Sequence, residues 1–249
     1  MRMPQLVIFD LDGTLALSKT AIDQGMSKLL QELLKKTNIA VISGGSFEQF
    51  ERQFLVGLQA PKNLLSQLHL FPTCGSRYFK YNDGWVEVYA HTLTAKEKEK
   101  IFEAFEYALK RADYQKPSKL FGEVIEDRGT QITFSALGQK APVDLKSVWD
   151  PNQEKRLLIK KFLDEKLADF EVRIGGTTSI DVTKKGIDKA YGVREMEKHL
   201  KISISEMIFI GDALFPGGND YAVLGSGVEG IQVSGPEETK KIIREMLNL

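Results

Sequence analysis

The feature that most constrains this chain is the apolar run Leu6–Phe9, which ends on Asp10-Leu11-Asp12-Gly13-Thr14. Four consecutive apolar residues leave no polar face, so a strand made from them is covered on both sides, as in a parallel sheet. Two carboxylates then follow where that cover ends. Acids two residues apart repel one another and are costly beside an apolar layer unless a cation lies near. The pattern points to a metal ion or to phosphate chemistry at the carboxyl end of a strand, where open parallel sheets bind ligands.

The rest of the chain agrees with a parallel sheet. Ile22, Met26, Leu29, Leu30, Leu33 and Leu34 recur at helical spacing, and Ile39 to Ile42 makes a second buried strand closed by Ser43-Gly44-Gly45-Ser46. Phe47, Phe50 and Phe54 predict a further helix. This β-α-β-α order favours parallel strands with helices on both faces. "YNDGW", residues 81–85, carries the Asp-Gly signal of a tight hairpin.

Beyond Tyr89 the pattern changes. A helix carrying "KEKEK" (96–100) precedes strands expected at 123–125, 131–137, 172–174 and 180–182, with a second helix near 154–167. Strands joined by short turns, with two helices, predict an antiparallel α+β module. From Gly186 the first pattern returns. The expected organisation is an α/β parallel-sheet core at 1–87 and 186–249, interrupted by an inserted module at 88–185.

Composition removes some classes. Lys+Arg and Asp+Glu both number 34, so no global basic field argues for nucleic acid. Cys74 is the single cysteine, which excludes an internal disulfide and suits a reducing compartment. The N-terminal apolar segment, cut by Asp10 and Asp12, is too short to span a bilayer. A soluble cytoplasmic protein is expected, with no nucleic-acid or membrane partner.

Several strand ends share one chemical theme. The first delivers Asp10 and Asp12, the second Ser43 with Gly44 and Gly45, and a later one Asp212 followed by Asn219 and Asp220; Lys189 opens the helix after the insertion. Carboxylates suit a hard cation, while a hydroxyl, backbone N–H groups and one ammonium suit a phosphate. Taken singly, each has a plain structural explanation as a turn, a cap or a surface lysine. In this chain order they make a kit for moving a phosphoryl group.

These residues resemble the haloacid-dehalogenase superfamily of aspartyl-phosphate enzymes. Within it, "FDLDGTL", "GGSFEQ", "LFP", "IGGTTSIDV", "GIDKAYGV", "GDALFPGGND" and "GPEETKKI" are similar to strings of the eukaryotic-type phosphomannomutases. The resemblance implies a Rossmannoid core with a type IIB cap inserted in it. It also implies roles: Asp10 as the nucleophile and a Mg²⁺ ligand, Asp12 as general acid/base with its backbone carbonyl on the metal, and Asp212 as a further ligand. Ser43, Gly44, Lys189 and Asn219 would bind phosphate, with Asp220 supporting Lys189.

In the cap the resemblance implies a second phosphate and sugar site at Arg128, Ser179 and Asp181. Gln139 and Lys146 stand where that family has arginines, as does Lys19 after the first motif. Gln carries no charge and Lys lacks the planar fork of Arg, so the positive charge is thinned. Two activities therefore stay open. One is a Mg²⁺-dependent phosphohexomutase on mannose or glucose phosphates, activated by a hexose 1,6-bisphosphate; the other is a phosphatase for a sugar phosphate or similar metabolite. A catalytically silent sugar-phosphate binder is the third reading. The resemblance further implies a homodimer through the cap.

Overall fold

The computed structural model describes residues 3–18 and 20–249. Among the described residues, eleven strands and their helices fall into two compact units, Met1–Ala90 with Asp188–Leu249, and His91–Ile187. In chain order the strands are β1 (Leu6–Phe9), β2 (Asn38–Ile42), β3 (Leu68–Phe71), β4 (Arg77–Tyr81) and β5 (Trp85–Ala90), then β6 (Ile125–Asp127), β7 (Gln131–Ser135), β8 (Phe170–Gly175) and β9 (Ser179–Lys184), and last β10 (Met207–Gly211) and β11 (Glu229–Gln232).

The first unit is built on one sheet of order β11-β10-β1-β2-β3-β4-β5. The five strands from β11 to β3 run parallel, and β4 and β5 add an antiparallel edge. Side chains alternate across it, as a pleat requires. Val7, Phe9, Val41 and Leu70 face Met26, Leu30, Leu33 and Ile243, which come from the helices Gln24–Leu34 and Pro236–Leu247. Leu6, Ile8, Ala40 and Phe209 face Val193 and Met196 of the helix Lys189–Leu200. All four β1 side chains are fully buried, each worth about 1.5–3 kcal/mol. The Asp-Gly hairpin closes with Asn82 N–H donating to Gly84 O, and Asp83 takes the left-handed φ of 54° that such turns need.

The second unit is an antiparallel sheet, β6-β7-β9-β8, with one apolar and one polar face. Ile132, Phe134, Ile180 and Val182 pack on Ile101, Phe105, Ile159 and Leu163 from the helices Ala95–Arg111 and Glu154–Lys166. Thr94 and Glu97 start the first helix with a reciprocal capping box. The polar face carries a row across all four strands, Glu126, Thr133, Asp181 and Arg173. β6 lies two residues later than periodicity predicts, and a short helix Val143–Trp149 fills a stretch with no expected element. Among the described residues no helix is long and apolar enough to cross a membrane.

Candidate active site

β1 lies between β10 and β2, so the polar strand ends that carry Asp10 and Asp212 are neighbours. Asp10 continues β1, its N–H donating to Ile210 O at 3.0 Å, and Asp212 follows β10. The chain turns sharply after Asp12. Gly13 sits at φ +84°, and a Cβ there would come within 2.5 Å of Asp212 Oδ2, so only glycine lets the turn close over this carboxylate. Thr14 Oγ1 donates to Asp212 Oδ1 at 3.3 Å.

Lys189 reaches the same spot from the other end of the chain. Asp188 caps its helix by accepting from Tyr191 N–H at 2.8 Å, which sets Lys189 at the first helical position. Its Nζ donates to Asp10 Oδ1 at 2.5 Å and to Asp220 Oδ1. Asp220 Oδ2 accepts from Ala213 N–H at 3.2 Å, fixing the loop between them. Asp10, Asp212 and Asp220 each bring a carboxylate oxygen within 4.8 Å of one another.

Three carboxylates share one ammonium. Burial pushes the Asp10 carboxyl well above its ordinary range; Lys189 opposes this, and Asp220 and Asp212 add to it. Burial, then Asp220, raises Asp212 as well. Burial alone would lower the Lys189 ammonium, but Asp10 and Asp220 more than offset it and hold Lys189 above its usual range. Asp10 Oδ2 is buried without a hydrogen-bond partner among the described residues. An unmet buried oxygen beside two further carboxylates is the donor set a hard divalent cation takes, so the residues fit such an ion.

The remaining core residues make other contacts. The Asp12 carboxylate is held by two amides: Oδ1 accepts from Gln53 Nε2 at 2.7 Å and Oδ2 from Gln49 Nε2 at 3.3 Å. Ser43, buried at the end of β2, accepts from Gly45 N–H at 3.2 Å, with Gly44 between them. Asn219 is exposed in the loop that ends at Asp220.

The cap residues form their own network on the polar face of the second sheet. Ser179 pairs with Ser135 in register, their hydroxyls 3.1 Å apart, and Gln139 Nε2 donates to Ser135 Oγ at 2.5 Å. Lys146 is buried and donates to Gln139 O at 2.8 Å, while Asp181 Oδ1 accepts from Thr133 Oγ1 at 2.7 Å. Arg128 places Nε and Nη2 on Glu126 Oε2 at 2.9 and 2.7 Å. Lys19 lies outside the described residues. Sequence reasoning passed over Thr14, Gln49, Gln53, Thr133 and Ser135, because a buried polar side chain has no periodic signature of its own.

A parallel sheet with acids at adjacent strand ends, a lysine on a following helix and a module inserted in the chain define a haloacid-dehalogenase-type phosphotransferase. Solved structures agree on the fold. A truncated IMP-bound IMP-nucleotidase of Plasmodium falciparum matches with a TM-score of 0.74 at 20% identity, over 99% of this chain and 69% of that one. The C-terminal domain of a trehalose-6-phosphate phosphatase of C. albicans matches with a TM-score of 0.67 at 18% identity, over 99% and 93%. Within that class the chain belongs to the eukaryotic phosphomannomutase family, whose model matches residues 26–249. It is 29% identical to the phosphomannomutase of Spinacia oleracea, over 97% of this chain and 95% of that protein. Identity to a probable phosphomannomutase of Caenorhabditis elegans is also 29%, over 97% and 95%.

Proposed function

We propose that this protein is a phosphohexomutase of the phosphomannomutase and phosphoglucomutase type, interconverting hexose 1-phosphate and hexose 6-phosphate. Family membership and near full-length similarity to phosphomannomutases support the activity. The observation that carries the chemistry is Asp10, a buried carboxylate with one oxygen on Lys189 and the other unmet. In this reading Asp10, Asp212 and the backbone carbonyl of Asp12 would hold Mg²⁺, and the ion would supply neutralising charge to the site.

Asp10 attacks one phosphorus of the hexose 1,6-bisphosphate, and the bond from that phosphorus to the sugar oxygen breaks, leaving a hexose monophosphate. Asp12 gives its proton to that oxygen, because an alkoxide is a poor leaving group; such donation is worth ~10² to 10⁴ in rate. In the reverse direction Asp12 takes the proton from a sugar hydroxyl as its oxygen attacks the phosphoaspartate. Lys189 neutralises the charge shared by Asp10 and the transferring group, and Ser43, Gly44 and Asn219 bind its oxygens. A hexose 1,6-bisphosphate primes Asp10 and is the intermediate that turns round between half-reactions. Arg128, Gln139, Lys146, Ser179, Asp181 and Lys19 would receive the distal phosphate and hydroxyls. A homodimer through the cap and a cytoplasmic location complete the proposal.

A phosphatase is the second reading, with water accepting the phosphoryl group. It is favoured by the cap's reduced charge: Gln139 is neutral, Lys146 is engaged by a carbonyl, and Arg128 is paired with Glu126. A phosphorus NMR time course separates the two. Mannose 1-phosphate or glucose 1-phosphate, with Mg²⁺ and catalytic hexose 1,6-bisphosphate, should give the 6-phosphate; inorganic phosphate without that isomer would replace mutase by phosphatase.

A further inference from the structure

The glutamines beside Asp12 stand out because nothing in the packing requires them. Both are buried, 7% and 4% exposed, on a helix whose neighbouring buried residues are Phe50 and Phe54. A buried amide is costly unless its hydrogen bonds are met, so an aliphatic side chain would fill this space at lower cost. Here the bonds are met in one closed triangle. Gln49 Nε2 donates to Gln53 Oε1 at 2.9 Å, which leaves Gln53 Nε2 to face Asp12. Each Asp12 oxygen accepts from a different amide.

The backbone is shaped for this contact. The helix starts as an α-turn at Phe47–Phe50 and widens into a π-helical turn at Glu51–Leu55, which carries Gln53. Such widened turns recur at functional sites. Gly45 belongs to the same arrangement: a Cβ there would lie 2.7 Å from Gln49 Cδ and Oε1, so glycine lets Gln49 pass between the Ser43 loop and Asp12.

We propose that Gln49 and Gln53 are positioning residues for Asp12, fixing its carboxylate in one orientation for proton transfer to and from the substrate oxygen. The inference rests on the reading of Asp12 as the general acid/base. Both glutamines bond the Asp12 carboxylate directly, which is the route by which they act on the reaction. Substrates that need a proton on the leaving oxygen should feel their loss. Transfer to Asp10 from a substrate whose leaving group departs as a stable anion should not.

The test compares turnover of a hexose 1-phosphate with the first-turnover release of 4-nitrophenolate from 4-nitrophenyl phosphate, the step that needs no proton from Asp12. Gln53→Met keeps the length of the side chain without its donor, and Gln53→Glu replaces the donor by an acceptor. Each should lower the ratio of the two rates about tenfold or more, a share of the ~10² to 10⁴ that proton transfer supplies. Gln49→Met should lower it less, its contact being the longer. KM for the sugar phosphate should stay near the wild-type value. An unchanged ratio in both Gln53 variants, with or without a general loss of rate, overturns the proposal. Asp12→Asn is the reference: if it too leaves the ratio unchanged, the role of Asp12 fails; if it alone lowers the ratio, only the glutamine inference fails.

Discussion

Lys189 Nζ lies 2.5 Å from Asp10 Oδ1, with both side chains no more than 3% exposed, although 178 residues separate them in the chain. The same ammonium is paired with Asp220. Removing it would leave two buried carboxylates without their cation, which typically costs about 3–5 kcal/mol. Lys189→Met should therefore lower stability in urea by that order. It should also reduce turnover by about 10² to 10³, the range for deleting one preorganised charge-stabilising donor. A variant with wild-type turnover would remove Lys189 from the mechanism.

A cluster of three acids and one lysine carries excess negative charge, and a bound divalent ion relieves it. Anything that binds only the folded chain stabilises it by mass action, about 2.7 kcal/mol at a hundred times Kd. At roughly 2–4 °C per kcal/mol for a chain of this size, saturating Mg²⁺ should raise Tm by about 5 °C or more. Asp212→Asn should abolish most of this gain. Calorimetry with Mg²⁺ and with EDTA reads both; equal melting temperatures would deny the metal site.

Arg156 and Asp150 form a buried ion pair that serves the cap. Arg156 Nε donates to Asp150 Oδ2 at 2.8 Å, and Nη1 reaches over to Gly176 O at 2.6 Å, in the turn that leads into Ser179. Burial would raise the Asp150 carboxyl, but hydrogen bonds from Arg156 and the Lys155 and Arg156 amides hold it below its ordinary range. Arg156→Met leaves that acid buried and unpaired, so we expect a loss of about 3–5 kcal/mol. The double variant Arg156→Met with Asp150→Leu should recover much of it. Denaturant melts of the three proteins decide the point.

His69 makes stability depend on pH away from the site. Burial, with help from Lys80, lowers its pKa to about 4, and Nδ1 meets Tyr78 Oη at 3.0 Å. Below pH 6.5 the unfolded chain takes up a proton that the folded chain refuses, so its contribution is complete above 6.5 and lost as pH falls toward about 4. Between pH 7 and 5 the loss should be about 2 kcal/mol. His69→Gln should flatten that slope in urea melts, and an unaltered slope would assign the dependence elsewhere.

How much of this could be read from the sequence depended on range. The β1 run and its Asp-Leu-Asp-Gly-Thr ending are local, and the φ of Gly13 follows from residue type. The "YNDGW" hairpin was legible for the same reason. Gln49 and Gln53 were not. A π-helical turn adds a residue, so a search at 3.6 residues per turn misplaces whatever follows it. The Arg156–Asp150 pair was hidden because its members flank a break between two helices, where no fixed spacing brings side chains together. The distances between Lys189, Asp10 and Asp220 come from sheet order alone, which no local pattern encodes.

The most direct measurement traps the phosphorylated enzyme. The protein is mixed with hexose 1,6-bisphosphate and Mg²⁺, quenched in acid, reduced with borohydride and mapped by peptide mass spectrometry. The account predicts that the acyl phosphate, and hence the reduced side chain, appears at Asp10 and is missing from Asp10→Asn. A phosphoryl group found on another residue, or steady turnover with Asp10 never modified, would contradict it.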